Sequence, residues 1–189
     1  MLCRIMKLPN FLTLLRVVLI PAFVAAFWLP VPFAHLWGAL IFALAALTDW
    51  LDGYLARRLG QNSRFGVLFD PIADKMMVSA ALLLLVQEFP SWWLVIPALV
   101  IIGREITVSG LREWLAAGQE PVQIPVRPLG KIKTVLQMLA LLILLAIFPG
   151  WRSVSLPVGL SLLYLASMLT ILSGLQYLWA AWPTIRKGF

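Results

Sequence analysis

Six apolar runs, at roughly 10–29, 34–58, 67–88, 92–116, 131–148 and 155–181, leave this chain few ways to fold. Each approaches the ~20 residues needed to cross a hydrocarbon core about 30 Å thick. Inside such a core every backbone N–H and C=O must find its partner within the protein, so runs of this length become helices. Turn formers separate them: Pro30 and Pro32, Gly60 to Ser63, Pro90, a stretch from Gly118 to Gly130, and Pro149-Gly150. Only 12% of the 189 residues are charged, against about 25% in a soluble domain. The expectation is an all-α integral membrane protein with six transmembrane helices, forming a single membrane domain over residues 1–189.

Charge placement orients the bundle. Arg4, Lys7, Arg57, Arg58, Arg64, Arg127, Lys131, Lys133, Arg186 and Lys187 fall on one side of a six-span arrangement, and His35, Glu88 and Arg152 on the other. The positive-inside rule then puts both termini on the cytoplasmic side. That asymmetry, with attraction to anionic headgroups, accounts for most of the net charge of +7 without nucleic acid as a partner. Trp28, Trp37, Trp92, Trp93, Trp114, Trp151 and Trp179 lie near the expected helix ends, as interfacial anchors do. Cys3 is the single cysteine, so an internal disulfide and multi-cysteine zinc or redox chemistry do not apply. The first apolar run has no signal-peptidase pattern after it and reads as a retained helix.

Against this background the segment "DWLDGYLARRLGQNSRFGVLFDPIADK", residues 49–75, contains all four aspartates of the chain. Asp49 and Asp52 are three apart and Asp70 and Asp74 four apart, so on helices each pair shares a face. Gly53 and Ala56 continue the first face with almost no side chain, leaving room for a bulky group to approach the backbone. A short polar loop joins the two helices as antiparallel neighbours, which lets the acidic faces converge near the cytoplasmic surface. Four carboxylates at a bilayer edge need compensation. A hard divalent cation with oxygen ligands, Mg²⁺ or Mn²⁺, is one answer. An ion-pair network with Arg57, Arg58 and Lys75 is another. A carboxylate-held metal with open positions, flanked by arginines, suits phosphate oxygens. Residues and spacing therefore reach a cytoplasm-facing, phosphate-handling site and stop there.

The pattern D-x2-D-G-x2-A-R-x8-G-x3-D-x3-D, here Asp49, Asp52, Gly53, Ala56, Arg57, Gly66, Asp70 and Asp74, resembles without departure the signature of the CDP-alcohol phosphotransferases. "LPNFLTLLRVVLIP", "GREITVSGLREWLA" and "GKIKTVLQM" are similar to the bacterial phosphatidylglycerophosphate synthase branch of that family. The resemblance implies a six-helix, usually dimeric membrane fold in the bacterial cytoplasmic membrane, with a cavity open to the cytoplasm. It implies that Asp49, Asp52 and Asp70 bind the metal, with Asp74 contributing to that site and acting as general base. Asp49, Asp52, Gly53, Ala56, Arg57, Gly66 and Asp70 would form the nucleotide site. The implied donor is CDP-diacylglycerol and the implied acceptor sn-glycerol 3-phosphate, giving phosphatidylglycerophosphate and CMP.

An acceptor that carries its own phosphate calls for cations. Arg104, Arg112, Lys131 and Lys133 are the candidates, and Arg104, about 18 Å along its helix from Trp92, needs a partner at that depth. For Arg104 the competing reading is an ion pair, for Arg112 snorkelling to the headgroups, and for Lys131 and Lys133 ordinary flanking charge. Arg16 and Thr13 have a supporting role at most. Sister enzymes that use serine, an inositol derivative or phosphatidylglycerol would share the aspartates. A divalent-cation transporter is the alternative of a different class, but it would spread ionisable groups across the membrane depth rather than cluster them at one face.

Overall fold

The computed structural model describes residues 8–30, 33–59, 64–117, 128–147 and 152–187, with side chains described outside 8–13, 50, 52–68, 117, 128–129 and 187. Among these residues the chain is entirely helical: α1 (Leu8–Trp28), α2 (Ala34–Leu59), α3 (Arg64–Glu88), α4 (Trp92–Ala117), α5 (Pro128–Leu145) and α6 (Arg152–Lys187). Local chemistry sets several ends. Ser91 caps α4, its hydroxyl accepting from the Trp93 N–H at 3.4 Å and its carbonyl from Leu94 and Val95. α5 opens on Pro128, whose missing N–H costs nothing in a first turn.

The expected elements are all present, and the differences lie at their ends. α6 continues past Pro183 to Lys187, beyond the expected stop at 181. α3 begins at Arg64 rather than near 67, so Pro71 becomes an interior residue between the two aspartates of this helix. A proline there has no N–H to give to the carbonyl four residues back. Trp92–Ala116 and Arg152–Arg186 are long and apolar enough to cross a membrane, and Leu14–Trp28 and Ala34–Asp49 are shorter apolar helices.

Sequence neighbours pair closely, α1 with α2 and α5 with α6, while α3 touches α1, α2, α4 and α5. The core runs between them through Phe23, Phe42, Leu82, Leu85, Ile101, Leu141 and Leu163, all fully buried. Phe23 and Phe42 tie α1 to α2, their ring centroids 6.0 Å apart. Many large apolar side chains, Leu14, Val18, Leu83, Leu99, Ile106 and Met168 among them, instead face outward.

Gly159 lets α6 press against α5. A Cβ at this position would meet Leu144 Cδ2 at 2.6 Å and Cγ at 2.7 Å, and Leu144 is itself buried. Close backbone approach through a small residue is how helices associate without a hydrophobic drive from water. Gly159→Val should therefore lower the melting temperature in detergent by about 5 °C, the scale expected of overpacking in a chain of this size. An unchanged melting curve would mean that α5 and α6 can part there freely.

Candidate active site

The acidic helices meet around a third. Among the described residues, α1 packs more extensively on α2 and on α3 than those two pack on each other. α1 brings Arg16 into the gap. Its guanidinium is 1% exposed, and Nη1 lies 2.7 Å from Asp49 Oδ1. That ion-pair contact is not aligned as a hydrogen bond, and Nε, Nη1 and Nη2 all lack a hydrogen-bond partner among the described residues. Asp49, by contrast, is half exposed. A buried cation thus stands behind an open carboxylate.

Asp74 lies across from this pair, near enough to feel the charges of Asp49, Arg16, Lys75 and Glu105. Asp70, one turn earlier on α3, is partly buried. Spacing leads to the expectation that the α2 and α3 carboxylates converge; of these, Asp49 and Asp74 are near enough to interact through their charges. Asp52, Gly53, Ala56 and Arg57 on α2 and Gly66 in the first turn of α3 have side-chain surroundings outside the described residues, as does Arg58. Among the described residues no three carboxylate, imidazole or thiol groups gather closely enough to hold a metal. The donors present are oxygen-only, which matches a hard divalent cation in kind. Lys75, a candidate for the alternative ion-pair network, donates to the Ser109 hydroxyl on α4.

A second polar cluster adjoins the first. Glu105 Oε1 accepts from Lys133 Nζ at 2.8 Å and from Arg104 Nη1 at 3.0 Å. Arg104 Nη2 reaches Ser173 Oγ on α6 at 3.4 Å. The partner that Arg104 requires at its depth is therefore its own neighbour, shared with the next helix. Lys133 is 5% exposed, so it is a buried group rather than the free flanking charge its position at a helix start also allowed. Arg112 stacks over the Tyr177 ring, 5.2 Å from its centroid, and is otherwise exposed, as is Lys131. A cavity of about 30 Å³, room for one water, joins the clusters, with Asp74, Lys75, Glu105, Thr134 and Gln137 in its wall.

The far end of the bundle is distinct. His35, Glu88 and Arg152, which the charge pattern places on the opposite side, share a cavity of about 120 Å³ with Phe27 and Phe89. His35 Nε2 is 3.8 Å from Glu88 Oε1, and Arg152 lies over the Phe89 ring at 5.1 Å. No aspartate lies at this end.

With this geometry in place, the profile of the CDP-alcohol phosphatidyltransferases matches residues 6–185. The chain belongs to that family. Its relatives include a protein of Pseudomonas fluorescens, 51% identical over 187 residues, covering 96% of this chain and 93% of that one. A protein of Sodalis glossinidius is 50% identical over 178 residues, covering 93% and 95%. A third, from Salmonella paratyphi A, is 47% identical over 175 residues, covering 93% and 94%. All three are named CDP-diacylglycerol–glycerol-3-phosphate 3-phosphatidyltransferase. The match runs from α1 into α6 and includes the α2 and α3 segments that carry the four aspartates.

Sequence reasoning gave Arg16 only a supporting role, allowed Glu105 a pairing with Arg104 or with a neighbouring helix, and assigned Ser109 and Ser173 no role at the site. For Arg16 the available signal was an arginine inside an apolar run, where a charge demands a partner. For Ser109 and Ser173 no local signal exists, because the cation that each meets comes from another helix.

Proposed function

We propose that this protein transfers the phosphatidyl group of CDP-diacylglycerol to sn-glycerol 3-phosphate, producing phosphatidylglycerophosphate and CMP. The observation that carries the reading is the complete aspartate signature, with Asp49 paired to the buried Arg16 and Asp74 within reach of both charges. The names of the relatives support the choice of donor and acceptor.

In this reading the helices span a bacterial cytoplasmic membrane six times, with the acidic end and both termini in the cytoplasm. Outward-facing leucines, valines and isoleucines support burial in lipid, and exposed Trp28, Trp37, Trp92, Trp93 and Trp179 support anchoring at its two surfaces. The donor's acyl chains stay in the bilayer while its pyrophosphate enters between α2 and α3. Gly53 and Ala56 admit the cytidine nucleotide and Arg57 holds its phosphates, with Gly66 keeping the start of α3 clear. Asp49, Asp52, Asp70 and Asp74 would hold Mg²⁺ or Mn²⁺, which when bound neutralises charge on the pyrophosphate oxygens. The protein works as a homodimer.

The chemistry required of the chain is positioning and proton transfer. Asp74 accepts the proton of the acceptor hydroxyl. The hydroxyl oxygen bonds to the phosphorus that carries diacylglycerol, the bond from that phosphorus to the CMP oxygen breaks, and CMP departs. Arg104, Arg112, Lys131 and Lys133 orient the acceptor through its phosphate, Arg112 and Lys131 from the exposed side.

Purified protein in detergent, supplied with CDP-diacylglycerol and Mg²⁺, should release CMP with glycerol 3-phosphate and not with serine or inositol. Release with another alcohol would keep the aspartate chemistry and overturn the acceptor. No release with any acceptor from folded protein would overturn the transferase reading.

A further inference from the structure

We infer that Glu105 is a positioning residue that sets the acceptor's specificity: it holds Arg104 and Lys133 as a fixed pair of cations for the phosphate of glycerol 3-phosphate. The inference rests on the proposed function and goes beyond it, because it places the selectivity for a phosphorylated acceptor on a carboxylate that touches neither substrate.

The geometry is unusual for a simple ion pair. One oxygen, Oε1, takes both Lys133 Nζ at 2.8 Å and Arg104 Nη1 at 3.0 Å. The two cations come from different helices, α5 and α4. Arg104 is fixed from the other side too, because Ser173 Oγ receives its Nη2 while bonding to the Thr170 carbonyl at 3.0 Å. Gly174 lies flat beneath it, where an added Cβ would come within 3.2 Å of Arg104 Cγ. The arginine is therefore held by α4 and α6, the lysine by α4 and α5, and Glu105 is the shared point.

The charge balance explains the use of an acid in a site for an anion. Two cations and one carboxylate leave a surplus of one positive charge in a largely buried cluster. Without Glu105, Arg104 and Lys133 would repel one another and turn apart when no phosphate is present. With it, they keep one spacing, and a planar fork beside an ammonium can meet a phosphate without reorganising. Arg104 Nε, buried and without a hydrogen-bond partner among the described residues, retains hydrogen-bonding capacity at the same place. A neutral alcohol offers nothing to the surplus charge, so the cluster discriminates against it.

The test uses full-length protein in detergent, with inorganic phosphate as competitive inhibitor and KM measured for both substrates. Glu105→Gln should raise the inhibition constant of phosphate and the KM for glycerol 3-phosphate by about tenfold or more, as loss of a buried charge partner does. The KM for CDP-diacylglycerol should stay within about twofold. Glu105→Asp, which keeps the charge one methylene shorter, should recover most of the phosphate affinity. Two results would overturn the inference. One is Glu105→Gln with a lowered melting temperature but unchanged phosphate inhibition, which describes a clamp between helices. The other is tighter phosphate binding, which describes a competitor for the cations. Failure of the underlying reading looks different: wild-type protein would show no CMP release dependent on glycerol 3-phosphate.

Discussion

Asp74→Asn and Asp70→Asn should each lower CMP release by about a thousandfold or more, with the protein still folded in detergent. Asparagine preserves the shape of the side chain but can neither take a proton at neutral pH nor carry the charge that a metal or a pyrophosphate clamp needs. Losing a general base costs roughly 10²–10⁴ in rate, and weakening a metal site adds to that. Folding should survive, because both residues are only partly buried and lie in the first half of α3, outside the apolar core cluster. The measurement is turnover per folded molecule, with melting curves as the control. Near-normal turnover in both variants would remove these aspartates from the chemistry.

Arg16→Met should separate stability from activity. A guanidinium 1% exposed, with no hydrogen bond to any of its nitrogens among the described residues, is an expensive thing to bury. Removing one member of a buried pair is costly when it strands a buried charge, but Asp49 is half exposed and stays solvated without Arg16. The melting temperature should therefore hold or rise. Turnover should fall by about a hundredfold, since Asp49 would lose the cation paired with it among the described residues and about 3 kcal/mol of organisation at the site corresponds to that factor. Arg16→Lys, which restores charge without the planar fork, should regain part of the loss. A large drop in melting temperature with normal turnover per folded molecule would instead make Arg16 a structural residue. The pairing of a stability cost with a functional gain is what a strained active site shows.

These two variants mark the boundary between what could be read in the sequence and what could not. The aspartates were legible because helical spacing is local: three and four residues put carboxylates on common faces whatever the rest of the chain does. The helices were legible for the same kind of reason. A run of about 20 apolar residues bounded by Pro and Gly has one stable form in lipid. The ends differ at Arg64 and Lys187, where the helices run past the apolar stretches into polar sequence.

Partners were not legible. The expectation that α2 and α3 would face each other directly left out α1, which packs on both and supplies Arg16. Spacing along a helix says which side chains share a face and nothing about which helix arrives opposite. Arg104 and Glu105 illustrate this within a single dipeptide. Their sequence allowed a local pair or a pair with a neighbouring helix, and the structure makes both at once, with Lys133 completing the cluster. Sequence alone determined six helices and the acidic segment, because these follow from local hydropathy and periodicity. Tertiary structure decided which cations meet which carboxylates, because long-range contacts depend on how the helices pack.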